Sequence, residues 1–182
     1  MLDFNIFIKR IFLLSFVLFF FTTIIIYSAE RPRWVSQPIA VYIPEYGQYS
    51  KLMQKAFLAW ENKSNRLIRF KFLKSPSDAE IVVHFVKNVV ICNNENAVGC
   101  ARIQTRGGQY YKGDLDIALM HKDSNNNYRK INNIYGVMLH EIGHGLGLGH
   151  SSNSKSIMYP YDLPTLQYLT EPDLELLYKK YY

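Results

Sequence analysis

One stretch of this 182-residue sequence carries residue types at spacings that can do chemistry: His140-Glu141-Ile142-Gly143-His144-Gly145-Leu146-Gly147-Leu148-Gly149-His150. Positions four apart share a helix face, so His140 and His144 can present both imidazoles to one zinc ion at the ~2.0–2.1 Å of a zinc–nitrogen bond. Glu141 stands about 100° around the helix from His140. It is beside the metal without being a ligand, where a carboxylate can take a proton from an activated water. A third histidine six residues after His144 reaches the same ion only if the chain turns back, and Gly147 permits that turn because glycine takes positive φ at no steric cost. Singly, these residues have plainer readings. Lone histidines are usually core or surface residues, and helix glycines such as Gly143 and Gly145 reflect close packing at a cost of about 1 kcal/mol each relative to alanine. The five fixed positions together should match by chance in about one chain in 10⁵, so the stretch is read as a zinc site. Its ligands are His140, His144 and His150, and its base is Glu141.

The surrounding elements follow from periodicity and turn chemistry. Ile39, Val41 and Ile43 mark a first strand that Pro44 stops. Leu52, Met53, Ala56, Phe57, Ala59 and Trp60 recur at three- and four-residue spacing, with Lys51, Lys55, Glu61 and Lys63 elsewhere on the wheel, which predicts an amphipathic helix over 49–64. Strands are expected at 68–72 and 81–86, separated by the turn cluster Ser75-Pro76-Ser77-Asp78. An edge strand is expected at 100–105 before Gly107-Gly108, and a further strand at 115–120. Asn93–Asn96 and Asn125–Asn127 read as loops. The zinc motif ends a helix over 131–146, and Thr170 with Asp173 forms a capping-box start to a last helix that ends near Lys180. Strands grouped between helices give an α+β class with a twisted mixed sheet.

Composition restricts the function classes. With 48% hydrophobic, 20% charged and 15% aromatic residues, the chain is neither disordered nor fibrous. The net charge is +6, and from Glu30 onward nineteen basic residues face fourteen acidic ones. No basic run concentrates that excess, so no nucleic-acid partner is expected. Residues 11–27 are apolar apart from Ser15, Thr22 and Thr23, and follow Lys9 and Arg10. As a helix this run would measure about 26 Å against the ~30 Å hydrocarbon core, a length that fits a signal peptide or a short membrane anchor. Ser28 and Ala29 favour cleavage. The expected organisation is therefore a targeting segment at 1–29 and one domain at 30–182, placed outside the cytoplasm, secreted or periplasmic, with a tether through 11–27 as the alternative. In an exported chain, Cys92 and Cys100 read as a disulfide closing a short loop, with two free thiols or metal ligands as the alternatives.

At these residues the sequence resembles the metzincin metallopeptidases, most closely the matrixin branch. Ser156-Ile157-Met158-Tyr159-Pro160, beginning six residues after His150, is similar to the Met-turn that lies beneath the zinc in that clan. Weaker likeness follows the family's order at Pro38-Ile39-Ala40-Val41-Tyr42, Ala56-Phe57-Leu58-Ala59-Trp60, Ala79-Glu80-Ile81-Val82-Val83, Gly113-Asp114-Leu115-Asp116-Ile117 and Leu169-Thr170-Glu171-Pro172-Asp173. The resemblance covers residues 33–182. It implies an upper subdomain with a twisted sheet and two helices, and a small lower subdomain, with a C-terminal helix, after the third ligand. A substrate cleft would run between them. It also implies that the edge strand Gly99, Cys100, Ala101, Arg102 and Ile103 binds an extended peptide through its backbone, with the Cys92–Cys100 loop bordering the cleft.

Some features depart from the family pattern. No cysteine lies between the apolar segment and Trp34 to act as a latency ligand. His84 and His121 are the only other histidines and lie in no matching motif, so they read as structural or surface residues. Asp114 and Asp116 are candidate calcium ligands, although two alternating acids on a strand more often face solvent. Pro160-Tyr161-Asp162 departs from the family's usual pocket wall, which leaves subsite preference unread. The expected function is a zinc endopeptidase acting on extracytoplasmic proteins. A zinc-holding binding module without hydrolysis, and an amidase acting on a non-protein substrate, are the alternatives. The retained Glu141 argues against the first of these. The sequence does not specify an oligomeric state.

Overall fold

The structure is a computed structural model, and it describes residues 31–90, 92, 97–120, 131–161 and 167–182. The apolar run at 11–27, the Asn93–Asn96 and Asn125–Asn127 loops, and His121 lie outside the described residues.

Five strands form one sheet: β1 (Ile39–Tyr42), β2 (Phe70–Leu73), β3 (Ile81–Val86), β4 (Gly99–Arg106) and β5 (Gln109–Ala118), in the order β2-β1-β3-β5-β4. The first four in that order run parallel, and β4 joins β5 antiparallel at the sheet edge. Helix α1 (Gln48–Lys63) connects β1 to β2, α2 (Ile131–Gly145) follows β5, and α3 (Glu171–Tyr181) ends the chain. This is an α+β fold with a mixed sheet, of the kind the matrixin resemblance implies.

Parallel strands bury both faces, and the buried stretches Ile39-Ala40-Val41 of β1 and Ile81-Val82-Val83 of β3 are accordingly aliphatic throughout. Helix α1 buries Met53, Ala56, Phe57 and Trp60 from the stripe that its periodicity predicts, and it also buries Glu61, which the wheel placed off that stripe, because its carboxylate accepts from the Phe70 amide. Those side chains join Ile39, Val41, Ile81, Val83, Leu115 and Ile117 from the sheet and Ile134, Met138, Leu139 and Ile142 from α2 in one cluster. The Trp60 indole N–H donates to the carbonyl of Leu139 at 3.0 Å, which ties α2 to α1 and satisfies that buried donor.

The final strand differs from the sequence reading. β5 begins at Gln109 and ends at Ala118, earlier at both ends than the expected 115–120. Gly107 and Gly108 take φ of 56° and 74°, which closes a tight hairpin. That hairpin extends the β4–β5 pairing through polar residues as far as Arg106 and Gln109. Edge pairing of this kind needs no hydrophobic alternation, so the alternation signal misses it.

Candidate active site

Helix α2 carries the first two histidines, and local backbone chemistry brings the third back to them. Gly147 takes φ of +87°. The amide of Leu148 donates to Gly143 O at 3.0 Å and that of Gly147 to His144 O at 2.8 Å, the paired bonds of a glycine-terminated helix. Two distant side chains take the neighbouring carbonyls. The Trp34 indole donates to Gly145 O at 2.8 Å, and the Tyr181 hydroxyl donates to Leu146 O at 3.0 Å. The end of the helix is thus held by residues from both ends of the domain, neither of which has a sequence signal for this role.

Each helical histidine has one ring nitrogen committed. His140 Nδ1 donates to Ile157 O at 2.6 Å and His144 Nδ1 donates to Leu148 O at 2.8 Å. A carbonyl accepts only from a protonated nitrogen, so both Nε2 atoms keep their lone pairs free for a metal. Burial pushes the His140 imidazolium down to about 4, assisted by the neighbouring His144, and burial also lowers His144, which favours the neutral form that ligation requires. His150 is exposed and places its Nε2 3.1 Å from that of His144. Ligand atoms of the three histidines all lie within 4.8 Å of one another. Nitrogens tetrahedral about zinc at ~2.05 Å stand about 3.3 Å apart. The donor set therefore fits a zinc ion with one position left for substrate or water.

Glu141 is 5% exposed and packs its carboxyl group against the α-carbon of Gly99 on β4, where any side chain would overlap it. Burial, with a smaller contribution from the Asp116 carboxylate, pushes Glu141 up to about 8. A dication held by the adjacent histidines would favour the ionised form. A cavity of about 600 Å³ opens over these groups. Gly99, Cys100, Ala101 and Ile103 line it from β4, and Asn133, Gly136 and Val137 line it from α2. Tyr159, Pro160 and Tyr161 complete the wall. Arg102 does not line it. Its guanidinium instead reaches Asp116 at 2.6 and 3.4 Å. Cys92 and Cys100 form a disulfide, and Cys92 also borders the cavity.

Met158 is fully buried, with its sulfur against the α-carbon of Gly143. A network that sequence reasoning found only in part holds the turn. Asp173, the capping-box acid of α3, accepts from the Thr170 amide at 2.8 Å. Its other oxygen accepts from the Ser156 hydroxyl at 2.5 Å, and Ser156 Oγ in turn accepts from the Met158 amide at 3.0 Å. The capping spacing was the only local signal for Asp173. Its contact with Ser156, 17 residues away, had none.

The reading of solvent-facing acids is corrected at Asp116, which is 4% exposed and paired with Arg102, whereas Asp114 stays partly exposed and bonds His84 Nε2 at 2.9 Å. The cross-strand partner that buries Asp116 comes from β4, on the far side of the hairpin. His84 is half-exposed and serves this structural pair.

Comparison with known proteins agrees with the geometry. The rat macrophage metalloelastase is 30% identical over 140 residues, covering 72% of this chain and 29% of that protein. The horse interstitial collagenase is 30% identical over 143 residues, 71% of this chain and 28% of that one. Karilysin of Tannerella forsythia is 28% identical over 152 residues, 74% of this chain and 30% of that one. The chain thus matches under a third of the length of these relatives. The peptidase M10 family model, matrixin, matches residues 39–181, which include the sheet, all three helices and the histidine cluster, and the chain belongs to the matrixin family.

Proposed function

We propose that this domain is a zinc-dependent endopeptidase that cleaves proteins outside the cytoplasm, with His140, His144 and His150 holding the metal and Glu141 as general base. The observation that carries this reading is the convergence of three imidazoles beside a buried carboxyl group on the floor of an open cavity. Zinc bound there would supply Lewis acidity, polarising a scissile carbonyl and making water acidic enough to ionise near neutral pH. Glu141 would take the proton from the attacking water and deliver it to the leaving amine. The Ile157 and Leu148 carbonyls hold the two helical imidazoles in the ligating tautomer. Among the described residues β4 pairs on one side only, with β5, so its other edge can offer backbone groups to an extended peptide.

Export is supported by the apolar run at 11–27 and by the disulfide. No helix among the described residues is long and apolar enough to cross a membrane. Tethering through 11–27 is the alternative to secretion.

The test combines elemental analysis with peptide-library cleavage. Protein purified without chelators should contain one zinc per chain, and Glu141→Gln should keep that zinc while hydrolysis falls by about 10² or more. Full zinc with no cleavage of any peptide would favour the binding-module reading instead. Absence of transition metal would reject both.

A further inference from the structure

A second concavity, of about 590 Å³, lies between α1 and the N-terminal half of α2. Its rim carries Lys51, Lys55 and Lys63, all exposed, and no acidic residue lines it. Its apolar lining comes from the half-buried Ala59 and Tyr135 and from the exposed Leu58, with the amides of Gln54 and Asn62 between. Lys55 Nζ sits 5.4 Å from the centre of that ring, a cation–π contact that holds one ammonium over the groove.

Lys63, in the last turn of α1, suits the helix dipole, but the other two charges work against the helix that carries them. Lys51 and Lys55 are like charges one turn apart, and Lys51 stands near the N-terminal end, where the helix dipole is already positive and no acid occupies the first turn. The one acid of α1, Glu61, is buried, accepts from the Phe70 amide at 3.0 Å and pairs with Arg66 at 3.4 Å. Among the described residues none of the three lysines has an anionic partner. A cationic rim around an apolar lining fits a polypeptide segment rich in Asp and Glu, with an apolar or aromatic side chain for the lining.

Position connects the groove to the chemistry. Tyr135 lines the groove, while its neighbour Gly136, with Asn133 and Val137, lines the active-site cavity, so the two depressions flank the same turns of α2. A helix is about 10 Å across and an extended chain advances about 3.3 Å per residue, so some three or four residues separate the sites. We propose that this groove docks an acidic segment of the protein substrate outside the residues seated in the cleft. The proposal rests on the peptidase reading given above.

The experiment uses the full chain, a neutral peptide that it cleaves, and the same peptide extended by eight alternating aspartates and glutamates. With each exposed ion pair contributing about twofold, three should lower KM about tenfold at ~50 mM salt with kcat unchanged. The gain should vanish near ~0.5 M salt and in the triple variant K51E/K55E/K63E, which should cleave the unextended peptide as the wild type does. An equal gain in the triple variant, or none in the wild type, would overturn the proposal. If neither peptide is cleaved, fluorescence anisotropy of the labelled acidic peptide separates the two readings. Binding that the triple variant loses upholds the groove while the peptidase reading fails, and no binding rejects the groove. Tighter binding of a heparin oligosaccharide than of the peptide at these lysines would overturn the peptide in favour of a glycan.

Discussion

Asp173→Ala tests whether the turn beneath the histidines is held from α3. The carboxylate is fully buried and accepts firm bonds from the Ser156 hydroxyl at 2.5 Å and the Thr170 amide at 2.8 Å. Two weaker contacts accompany them: the Met158 amide at 3.4 Å, already satisfied by Ser156, and the Thr170 hydroxyl, whose single proton also reaches Lys155 O at 2.9 Å. Bonds to a charged acceptor contribute about 1.5–3 kcal/mol each, and removing the acceptor orphans buried donors. The two firm bonds, of which the one from Thr170 is the cap of α3, give an expected loss of about 3–5 kcal/mol. At roughly 2–4 °C per kcal/mol for a domain of this size, the midpoint should fall by about 10–15 °C. The measurements are thermal melts for the midpoint and urea denaturation for the free energy, both on metal-free protein, where bound zinc cannot mask the change. Asp173→Asn keeps one acceptor oxygen and should lie between alanine and the wild type. Because Ile157 O accepts from His140 within the same turn, zinc affinity should also weaken in the alanine variant. A loss below about 1 kcal/mol, with zinc affinity unchanged, would refute the claim that this network positions the turn.

Further outcomes follow from other contacts. Gly143→Ala would gain about 1 kcal/mol of helix propensity on an exposed helix, but here the methyl group meets Met158 and Trp60, so a net loss of about 1–3 kcal/mol is expected in thermal melts. Replacing Cys92 and Cys100 by serine opens a loop with sequence separation 8, which should cost about 2–3 kcal/mol by chain entropy, read from the denaturant midpoint. Burial raises the Tyr181 phenol above its ordinary value. The folded state therefore prefers the neutral form, and stability is full below the unfolded value of about 10 and lost as pH rises above it. Tyr181→Phe should be about 1 kcal/mol less stable near pH 7, having lost its bond to Leu146 O, and should lose less stability than the wild type between pH 9 and about 11.5 in denaturant titrations.

The sequence by itself determined what short-range periodicity and steric allowance control. Histidines at i and i+4 on a helix share a face whatever surrounds them, and Gly147 can take its turn because it lacks a Cβ. The buried stripe of α1, the β-branched run of β3 and the Thr170–Asp173 cap were legible for the same reason: each depends on neighbours within about four residues. Tertiary structure decided what depends on partners far along the chain. Asp114 and Asp116 look alike in sequence, yet Asp116 is buried because β4 folds back to set Arg102 beside it. Gly99 has no local reason to be glycine, and only the packing of Glu141 against it supplies one. Trp34 and Tyr181 meet the carbonyls at the end of α2 from 111 and 35 residues away, a pairing that requires the whole sheet and both other helices in place. Backbone polar groups must be satisfied when buried, but which side chain does so is fixed by the assembled fold and leaves no periodic trace in the chain.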